Sequence, residues 1–164
     1  MDVLILLAAV SVILFGFVVF FGAPYLPSLK PQINAALDLL DLRPGEVMLE
    51  IGSGDGRVAL AAAKRGWKVV GYELNPVLVL ISYVYTWKYR SQITIKWGNA
   101  FYADWPQAQG IYIFGLPKIM EKLHTKITQT QHSSTRLVSF SFEIPGMTPT
   151  LKKEGIFVYE YHKD

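Results

Sequence analysis

The sequence of 164 residues contains no cysteine. That absence excludes a disulfide framework, a thiolate metal site and a cysteine nucleophile. Among the few histidines, His124 and His132 have no second ligand at metal-binding spacing. We therefore expect them at the surface or in loops and predict no metal site. No internal repeat or low-complexity tract is visible, which argues against a solenoid or a disordered chain.

Charge is absent from residues 3–23, although the chain as a whole has sixteen basic and thirteen acidic residues and a net charge of +3. A helix of this length measures about 32 Å, enough to cross a hydrocarbon core of about 30 Å. A buried core helix would show a polar stripe, whereas only Ser11 interrupts this run. We therefore predict a transmembrane anchor over residues 1–23.

A cleaved signal peptide is the alternative interpretation of this run. It would need a basic start and small residues at a cleavage site, but the start carries Asp2, and Pro24 and Pro27 follow the run. The first basic residue of the chain is Lys30. The positive-inside rule then predicts a single-pass membrane protein with its domain on the cytoplasmic side.

The small positive charge of the chain has a bearing on its partners. It would suit the anionic surface of a membrane and is too weak and scattered to indicate nucleic acid. Residues 24–30 form a proline-containing linker, which spans about 25 Å at most when extended. A site in the domain must therefore lie close to the bilayer.

Residues 31–164 alternate between segments with strand and helix patterns, which predicts an α/β domain with a Rossmann-like, doubly wound and mostly parallel sheet. Strands are predicted at residues 47–51, 68–72, 93–97, 111–114, 137–142 and 156–161, and helices at residues 31–41, 56–64, 76–90 and 118–128. The helix after Pro76 is apolar on nearly every side. It is either buried between the sheet and another element, or it also touches the bilayer surface or a partner protein.

The most informative stretch follows the first strand and reads Glu50-Ile51-Gly52-Ser53-Gly54-Asp55-Gly56-Arg57. Glycines at a strand–helix junction let the backbone turn sharply and approach a ligand closely. A dinucleotide fingerprint would need a third glycine where Arg57 stands. The acids Glu50 and Asp55 would repel a pyrophosphate and attract a cation, which favours S-adenosylmethionine with its sulfonium and ammonium groups.

Two further strand ends fit a nucleoside beside this turn. Glu73 ends the second strand, where a carboxylate can accept both hydroxyls of a ribose. Leu74 follows it and can pack on an adenine face. Asn99 and Ala100 follow the third strand, where an amide can read the adenine edge, although an ordinary turn asparagine is the alternative.

These motifs, together with Gly71-Tyr72-Glu73-Leu74-Asn75-Pro76 and Gly98-Asn99-Ala100, make the chain resemble a class I methyltransferase. Two further motifs make the resemblance more specific. They are Pro24-Tyr25-Leu26-Pro27-Ser28, directly after the apolar run, and Ile113-Phe114-Gly115-Leu116-Pro117, at the end of the fourth strand. With them the chain resembles the membrane-anchored protein-lysine methyltransferases that modify the ATP synthase c-subunit and the adenine nucleotide translocase in mitochondria, and their small prokaryotic relatives.

The resemblance implies a set of site residues. The predicted cofactor-binding residues are Tyr25, Glu50, Gly52, Ser53, Gly54, Asp55, Gly56, Glu73, Leu74, Asn75, Asn99 and Ala100. Phe114, Gly115 and Pro117 would line a lysine channel, residues 25–28 would cover the cofactor, and no dedicated catalytic base is assigned. In a eukaryote the resemblance places the protein in the mitochondrial inner membrane.

The chain also departs from the resemblance. No Asn-Pro-Pro-Tyr motif follows the fourth strand, which disfavours transfer to adenine or glutamine. A full methyltransferase sheet has seven strands, but residues 143–154 contain Pro145, Gly146 and Pro149 and resemble a loop. We therefore expect a trimmed sheet of about six strands whose last strand is antiparallel to the fifth.

The function expected from these observations is methyl transfer from S-adenosylmethionine to a lysine of a membrane-associated protein. Methylation of a lipid or quinone at the membrane surface is one alternative. A membrane protein that binds the cofactor without catalysis is another.

Overall fold

The computed structural model describes residues 3–5 and 28–162. Within these residues no helix combines the length and apolar character needed to cross a membrane. Most of the predicted anchor (residues 1–23) and most of the linker (residues 24–30) lie outside the described residues, as does Tyr25.

The described elements alternate in the order that the sequence patterns predict. The helices are α1 (Lys30–Leu40), α2 (Arg57–Lys64), α3 (Pro76–Thr86) and α4 (Pro117–Thr130), and a short 3-10 helix, Trp87–Tyr89, follows α3. The strands are β1 (Val47–Ile51), β2 (Lys68–Glu73), β3 (Ile93–Trp97), β4 (Gly110–Phe114), β5 (Thr135–Phe140), β6 (Leu151–Lys153) and β7 (Ile156–Tyr161). Together the strands form one sheet in the order β3-β2-β1-β4-β5-β7-β6.

The sheet confirms the Rossmann-like prediction and corrects its size. Strands β1 to β5 pair in parallel, and β7 pairs antiparallel to β5 as predicted. The prediction of about six strands is wrong, because the sheet has seven. The additional strand, β6, lies in the segment expected to be a loop. Glu154 and Gly155, both at positive φ, form the tight turn that pairs β6 with β7.

Helices cover both faces of the sheet. On one face α1 packs against β4, β5 and β7, and α2 and α3 pack against β2 and β3. The core of this face contains Leu37, Met48, Ala59 and Val69. On the other face α4 packs Met120, Leu123 and Ile127 against β1, β4 and β5. The carboxyl ends of the parallel strands therefore meet at one edge, where ligands bind in open α/β sheets.

The described part of the chain does not give helix α3 the buried environment that one interpretation of its sequence predicts. Its described buried residues are Val79, Ser82 and Thr86, whereas most of its large apolar side chains are exposed. The hydroxyls of Ser82 and Thr86 donate to carbonyl oxygens within the helix, at 2.7 Å in each case. Because this bonding satisfies them internally, they can be buried against α2 while the apolar side of α3 faces outward.

Candidate functional site

The glycine-rich turn between β1 and α2 is the centre of the candidate site. Gly52, Gly54 and Gly56 have φ angles of 78°, 56° and 84°, a left-handed region that other residues enter at a cost. The backbone N–H groups of Gly52 and Ser53 both donate to the carbonyl oxygen of Tyr72, at 2.9 and 3.0 Å. The turn is therefore bonded to β2 and held at the carboxyl edge of the sheet.

Gly71 allows this turn to lie close against β2. A Cβ atom at Gly71 would lie 2.9 Å from Ser53 Cβ and 2.8 Å from Ile95 Cδ1, closer than real Cβ atoms approach. Any side chain at this position would push the turn away from the strand. Close packing against Ser53 and Ile95 thus explains why glycine stands at position 71.

Glu73 connects the turn to the start of α3. Its Oε2 accepts a hydrogen bond from the backbone N–H of Gly54, and its Oε1 accepts one from the backbone N–H of Asn75, each at 2.8 Å. A carboxylate has about four lone-pair sites, so each oxygen retains capacity for a further donor. The carboxylate is thus fixed in position and can still accept two ribose hydroxyls.

Glu50 supplies a second carboxyl group at the end of β1. It is buried, with 1% of its surface exposed, and its Oε2 has no hydrogen-bond partner among the described residues. Burial raises the pKa of Glu50 well above its ordinary value, and the nearby carboxylates of Glu73 and Asp55 raise it further. Ser53 Oγ is likewise buried without a partner among those residues. These two atoms can receive polar groups of a ligand.

Asp55 is paired with a residue of its own turn. The guanidinium of Arg57 donates to both carboxylate oxygens, with Nη2 lying 2.7 Å from Oδ2 and Nε 3.0 Å from Oδ1. Arg57 Nη1 also donates to the carbonyl oxygen of Ser28, at 3.3 Å. This ion pair partly neutralises the negative charge of Asp55. Contact between Asp55 and a ligand remains a prediction.

Tyr112 was not predicted as a site residue, whereas Ser28 belongs to the segment, residues 25–28, that is expected to cover the cofactor. Tyr112 is the β4 partner of Glu50 in the sheet register and is buried. Its hydroxyl lies 3.4 Å from Ser28 Oγ. Burial raises the pKa of Tyr112 to about 12, so the phenol remains protonated at neutral pH. The segment before α1 therefore contacts β4 through Ser28 and Tyr112, next to Glu50 on β1.

The residues after β2 lie beside an exposed indole. The carbonyl oxygen of Leu74 accepts a hydrogen bond from Trp97 Nε1 at 3.0 Å, and Trp97 is the β3 register partner of Glu73. Sequence reasoning placed Trp97 only in a strand and missed this position. The side chain of Asn75 caps α3 by accepting from the backbone N–H of Val77 at 2.9 Å. Asn75 thus has a structural role, and its contact with a ligand remains a prediction.

Asn99 and Ala100 lie at the carboxyl edge just after β3. Asn99 is exposed, and its Oδ1 accepts the backbone N–H of Phe101 at 2.9 Å, an arrangement typical of an asparagine turn. Ala100 is buried, and its carbonyl oxygen accepts Trp105 Nε1 at 2.7 Å. Asn99 therefore has a structural role in this turn. Recognition of an adenine by Asn99 remains a prediction.

The three predicted channel residues lie close together at the end of β4. Phe114 packs edge to face against Phe140, its register partner on β5, with ring centroids 5.0 Å apart. Gly115 is buried, and a Cβ there would lie 2.9 Å from Ile113 Cδ1. Pro117 is exposed and begins α4. Phe140 was missed because only strand pairing brings it to Phe114.

The donor and acceptor set of this edge fits S-adenosylmethionine. Glu73 can accept the ribose hydroxyls, whereas the buried oxygens of Glu50 and Ser53 can receive the cationic amino acid part. The glycine turn removes the side chains that would block a close approach. Among the described residues, no group of three potential metal ligands is found.

Comparison with known proteins agrees with this geometry. Residues 50–151 match the family model of the ANTKMT methyltransferase domain. The chain is 35% identical to the Homo sapiens lysine N-methyltransferase of the ATP synthase c-subunit, over 81% of this chain and 58% of that protein. It is 30% identical to the adenine nucleotide translocase lysine N-methyltransferase of Mus musculus, over 85% of this chain and 63% of that protein. It therefore spans less than two thirds of either relative.

A solved structure shares both the fold and part of the sequence. It is an RNA methyltransferase from Salinibacter ruber in complex with S-adenosyl-L-homocysteine, with a TM-score of 0.75 and 28% identity, over 83% of this chain and 92% of that chain. The family model covers more than half of the chain and includes the glycine turn, Glu73 and the end of β4. The chain therefore belongs to the ANTKMT methyltransferase domain family.

Proposed function

We propose that this protein transfers a methyl group from S-adenosylmethionine to the side-chain amine of a lysine in a membrane-associated protein. The observation that carries the cofactor part is the pair of carboxyl groups at the glycine turn. Glu73 is fixed by two backbone N–H groups, and Glu50 has a buried oxygen without a partner among the described residues. The lysine part is supported by the family and by the names of the two relatives.

Different residues of the carboxyl edge bind different parts of the cofactor. Glu73 holds the ribose, Leu74, Asn99 and Ala100 hold the adenine, and Glu50 with the glycine turn holds the methionine part. S-adenosylmethionine supplies an electrophilic methyl group on its sulfonium. The protein contributes alignment and charge placement. Tyr25 would cover this pocket, as the resemblance implies.

The lysine must lose its proton before its nitrogen can attack, because its ordinary pKa is about 10.4. Phe114 and Phe140 present aromatic rings at the ends of neighbouring strands, and Pro117 lies at the start of the next helix. An apolar slot of this kind lowers the pKa of an amine by desolvation. We assign no dedicated base, because desolvation beside these rings supplies the neutral amine.

A membrane-associated substrate is supported by two observations. The two relatives carry the names of lysine methyltransferases for the c-subunit of ATP synthase and for the adenine nucleotide translocase. In this chain the apolar residues 3–23 precede the domain by a linker of only residues 24–30. We propose that an anchor over residues 1–23 makes the protein single-pass and keeps the site near the bilayer, with the domain on the cytoplasmic side.

The test is the distribution of a labelled methyl group. The full chain is incubated with methyl-labelled S-adenosylmethionine and membranes, and the label is measured in the protein, lipid and RNA fractions. We expect it in protein and, after hydrolysis, in methyllysine. Glu73→Gln is the matched negative control.

Each other outcome of this experiment points to a different function. Label in the lipid fraction would support the lipid or quinone alternative. Label in RNA would support the activity named for the Salinibacter ruber structure. Cofactor binding without transfer to any fraction would support a non-catalytic protein.

A further inference from the structure

Helix α3 presents an apolar side outward, the reverse of the usual arrangement in a soluble domain. It packs inward so closely that a Cβ at Gly56 would lie 2.9 Å from Thr86 Cγ2 and 3.0 Å from Ser82 Cβ. The inner side thus carries small polar residues, and the bulky apolar residues are left outside. We define the α3 apolar face as Val77, Leu80, Ile81, Val84 and Tyr85 of α3, together with Trp87 at the start of the 3-10 helix that follows.

The α3 apolar face is contiguous. Its residues recur at the three- and four-residue spacing that places side chains on one side of a helix. Leu80 and Val84, one turn apart, are 65% and 73% exposed, and Trp87 is 62% exposed. Single exposed apolar residues are ordinary, but a continuous face marks a surface for interaction. Within the described residues nothing buries this face.

Positive charge borders the apolar face, and negative charge is missing from it. No acidic residue occurs from residue 74 to residue 103, whereas Lys88, Arg90 and Lys96 do. Lys88 lies one turn beyond Val84, and the Arg90 guanidinium lies 4.7 Å from the centre of the Trp87 ring. Aliphatic, aromatic and basic groups in this order are typical of a helix that lies in a membrane interface.

The position of α3 in the fold connects it with the chain segment that enters the domain. Arg57 Nη1 donates to the carbonyl oxygen of Ser28, the first residue described after the apolar run. Arg57 begins α2 next to Gly56, which packs against Ser82 and Thr86 of α3. The end of the linker and α3 therefore meet at the same end of α2.

We propose that the α3 apolar face lies in the headgroup region of an anionic bilayer, with Lys88 and Arg90 contacting the lipid phosphates. The charge pattern favours lipid over a protein partner, because anionic headgroups complement the basic border while acyl chains cover the aliphatic side chains. This contact is additional to the proposed anchor. It goes beyond the proposed function, since it does not depend on which group receives the methyl.

The absence of cysteine makes a site-specific probe possible. Val84→Cys places a label on the α3 apolar face, and Gln129→Cys places a matched label at an exposed position of α4, on the opposite side of the sheet. Each full-length variant is labelled with an environment-sensitive fluorophore. The labelled proteins are reconstituted in phosphatidylcholine vesicles with and without phosphatidylglycerol. Quenching is then measured with aqueous iodide and with a spin-labelled lipid.

We expect the Val84 probe in anionic vesicles to be quenched by the spin-labelled lipid and to be several-fold less sensitive to iodide than the Gln129 probe. Equal iodide sensitivity at the two positions would overturn the proposal. So would a Val84 probe shielded from both quenchers, because a second copy or another segment of this chain would then cover the face.

A charge reversal tests the lipid contact separately. Lys88→Glu combined with Arg90→Glu should reduce lipid quenching of the Val84 probe in anionic vesicles. Lys153→Glu, an exposed reversal on the distant strand β6, should not change it. Unchanged quenching in the double variant would overturn the assignment to anionic lipid. Because all of these positions are at the surface, the variants should fold as the parent does.

Discussion

The carboxylate of Glu73 accepts a hydrogen bond from the backbone N–H of Gly54 at 2.8 Å, which joins the end of β2 to the turn that follows β1. Two elements of the predicted cofactor site are thereby fixed relative to one another. The same carboxylate also accepts from Asn75, at the start of α3. Three neighbouring chain segments thus depend on one side chain.

Glu73→Gln should weaken cofactor binding about tenfold to a hundredfold, because a hydrogen bond to a charged group is worth about 1.5–3 kcal/mol. The amide also replaces one acceptor with a donor, so a backbone N–H of Gly54 or Asn75 loses its partner. Calorimetric titration with S-adenosylhomocysteine measures the change. Glu46→Gln is the matched control, because Glu46 accepts the backbone N–H of Arg43 at 2.7 Å and precedes β1 at the opposite edge. Equal affinity in both variants would contradict the role of Glu73.

Glu50→Gln should flatten the pH dependence of stability. Since burial raises the pKa of Glu50, the folded protein keeps a proton that the unfolded chain releases above about pH 4.3. The free energy of unfolding of the parent therefore falls as the pH rises from the ordinary pKa towards the raised one. Urea unfolding at several pH values from about 5 to 8 measures the slope, which Gln cannot produce. A variant with the parent's slope would show that Glu50 does not titrate in this range.

Cofactor binding should displace the proton that Glu50 holds in the folded protein. A cationic ligand beside Glu50 favours its ionised form, so the affinity of the parent should rise with pH and binding should release a proton into the buffer. Calorimetry in buffers of different ionisation enthalpy measures that release. In Glu50→Gln the affinity should be lower and independent of this proton. Binding without proton release in the parent would place the cationic group away from Glu50.

Gly52→Ala should separate the role of the turn in binding from its cost in folding. Gly52 and Gly45 have φ angles of 78° and 88°, and neither has an atom within 4 Å of an added Cβ. Alanine at either position should cost about 1–2 kcal/mol of backbone strain. Only Gly52 belongs to the proposed cofactor turn, so only Gly52→Ala should also lose cofactor affinity. Equal affinities in the two variants would remove Gly52 from the site.

Phe140→Ala should lower kcat/KM for methyl transfer and leave cofactor affinity unchanged. The smaller side chain admits water beside Phe114, so the pKa of the bound lysine should rise and the pH–rate profile should move to higher pH. Phe140→Leu, which keeps an apolar cover, should restore most of the activity. A lowered rate with an unshifted pH profile would indicate a structural effect of the substitution.

Local features of the sequence predicted much of the fold and the position of the glycine turn. The glycine turn and Glu73 follow buried strands, so their meeting at one edge follows from parallel pairing. Tyr112, Trp97 and Phe140 were missed because each reaches the site through the register between strands that are distant in sequence.

The structure differs from the sequence-based predictions at two further elements, strand β6 and helix α3, for separate reasons. Strand β6 has only three residues, all exposed, so it leaves no hydrophobic pattern, and its pairing depends on the turn at Glu154 and Gly155. Helix α3 was open to two interpretations because its apolar residues occur on nearly every side. Among the described residues the structure argues against full burial, since most of the large apolar side chains of the helix are exposed. The helix buries Ser82 and Thr86 instead, with their hydroxyls satisfied internally.

The location of the transferred methyl group at residue resolution would decide whether this protein methylates lysine. Membranes are incubated with the full chain and labelled S-adenosylmethionine, and their proteins are digested and sequenced by tandem mass spectrometry. We expect labelled methyl on the side-chain nitrogen of a lysine in a membrane-associated protein, and about tenfold to a hundredfold less of it with Glu73→Gln when the cofactor concentration is below the parent's Kd. Label confined to lipid or RNA, or a lysine labelled equally by Glu73→Gln, would contradict the proposed function.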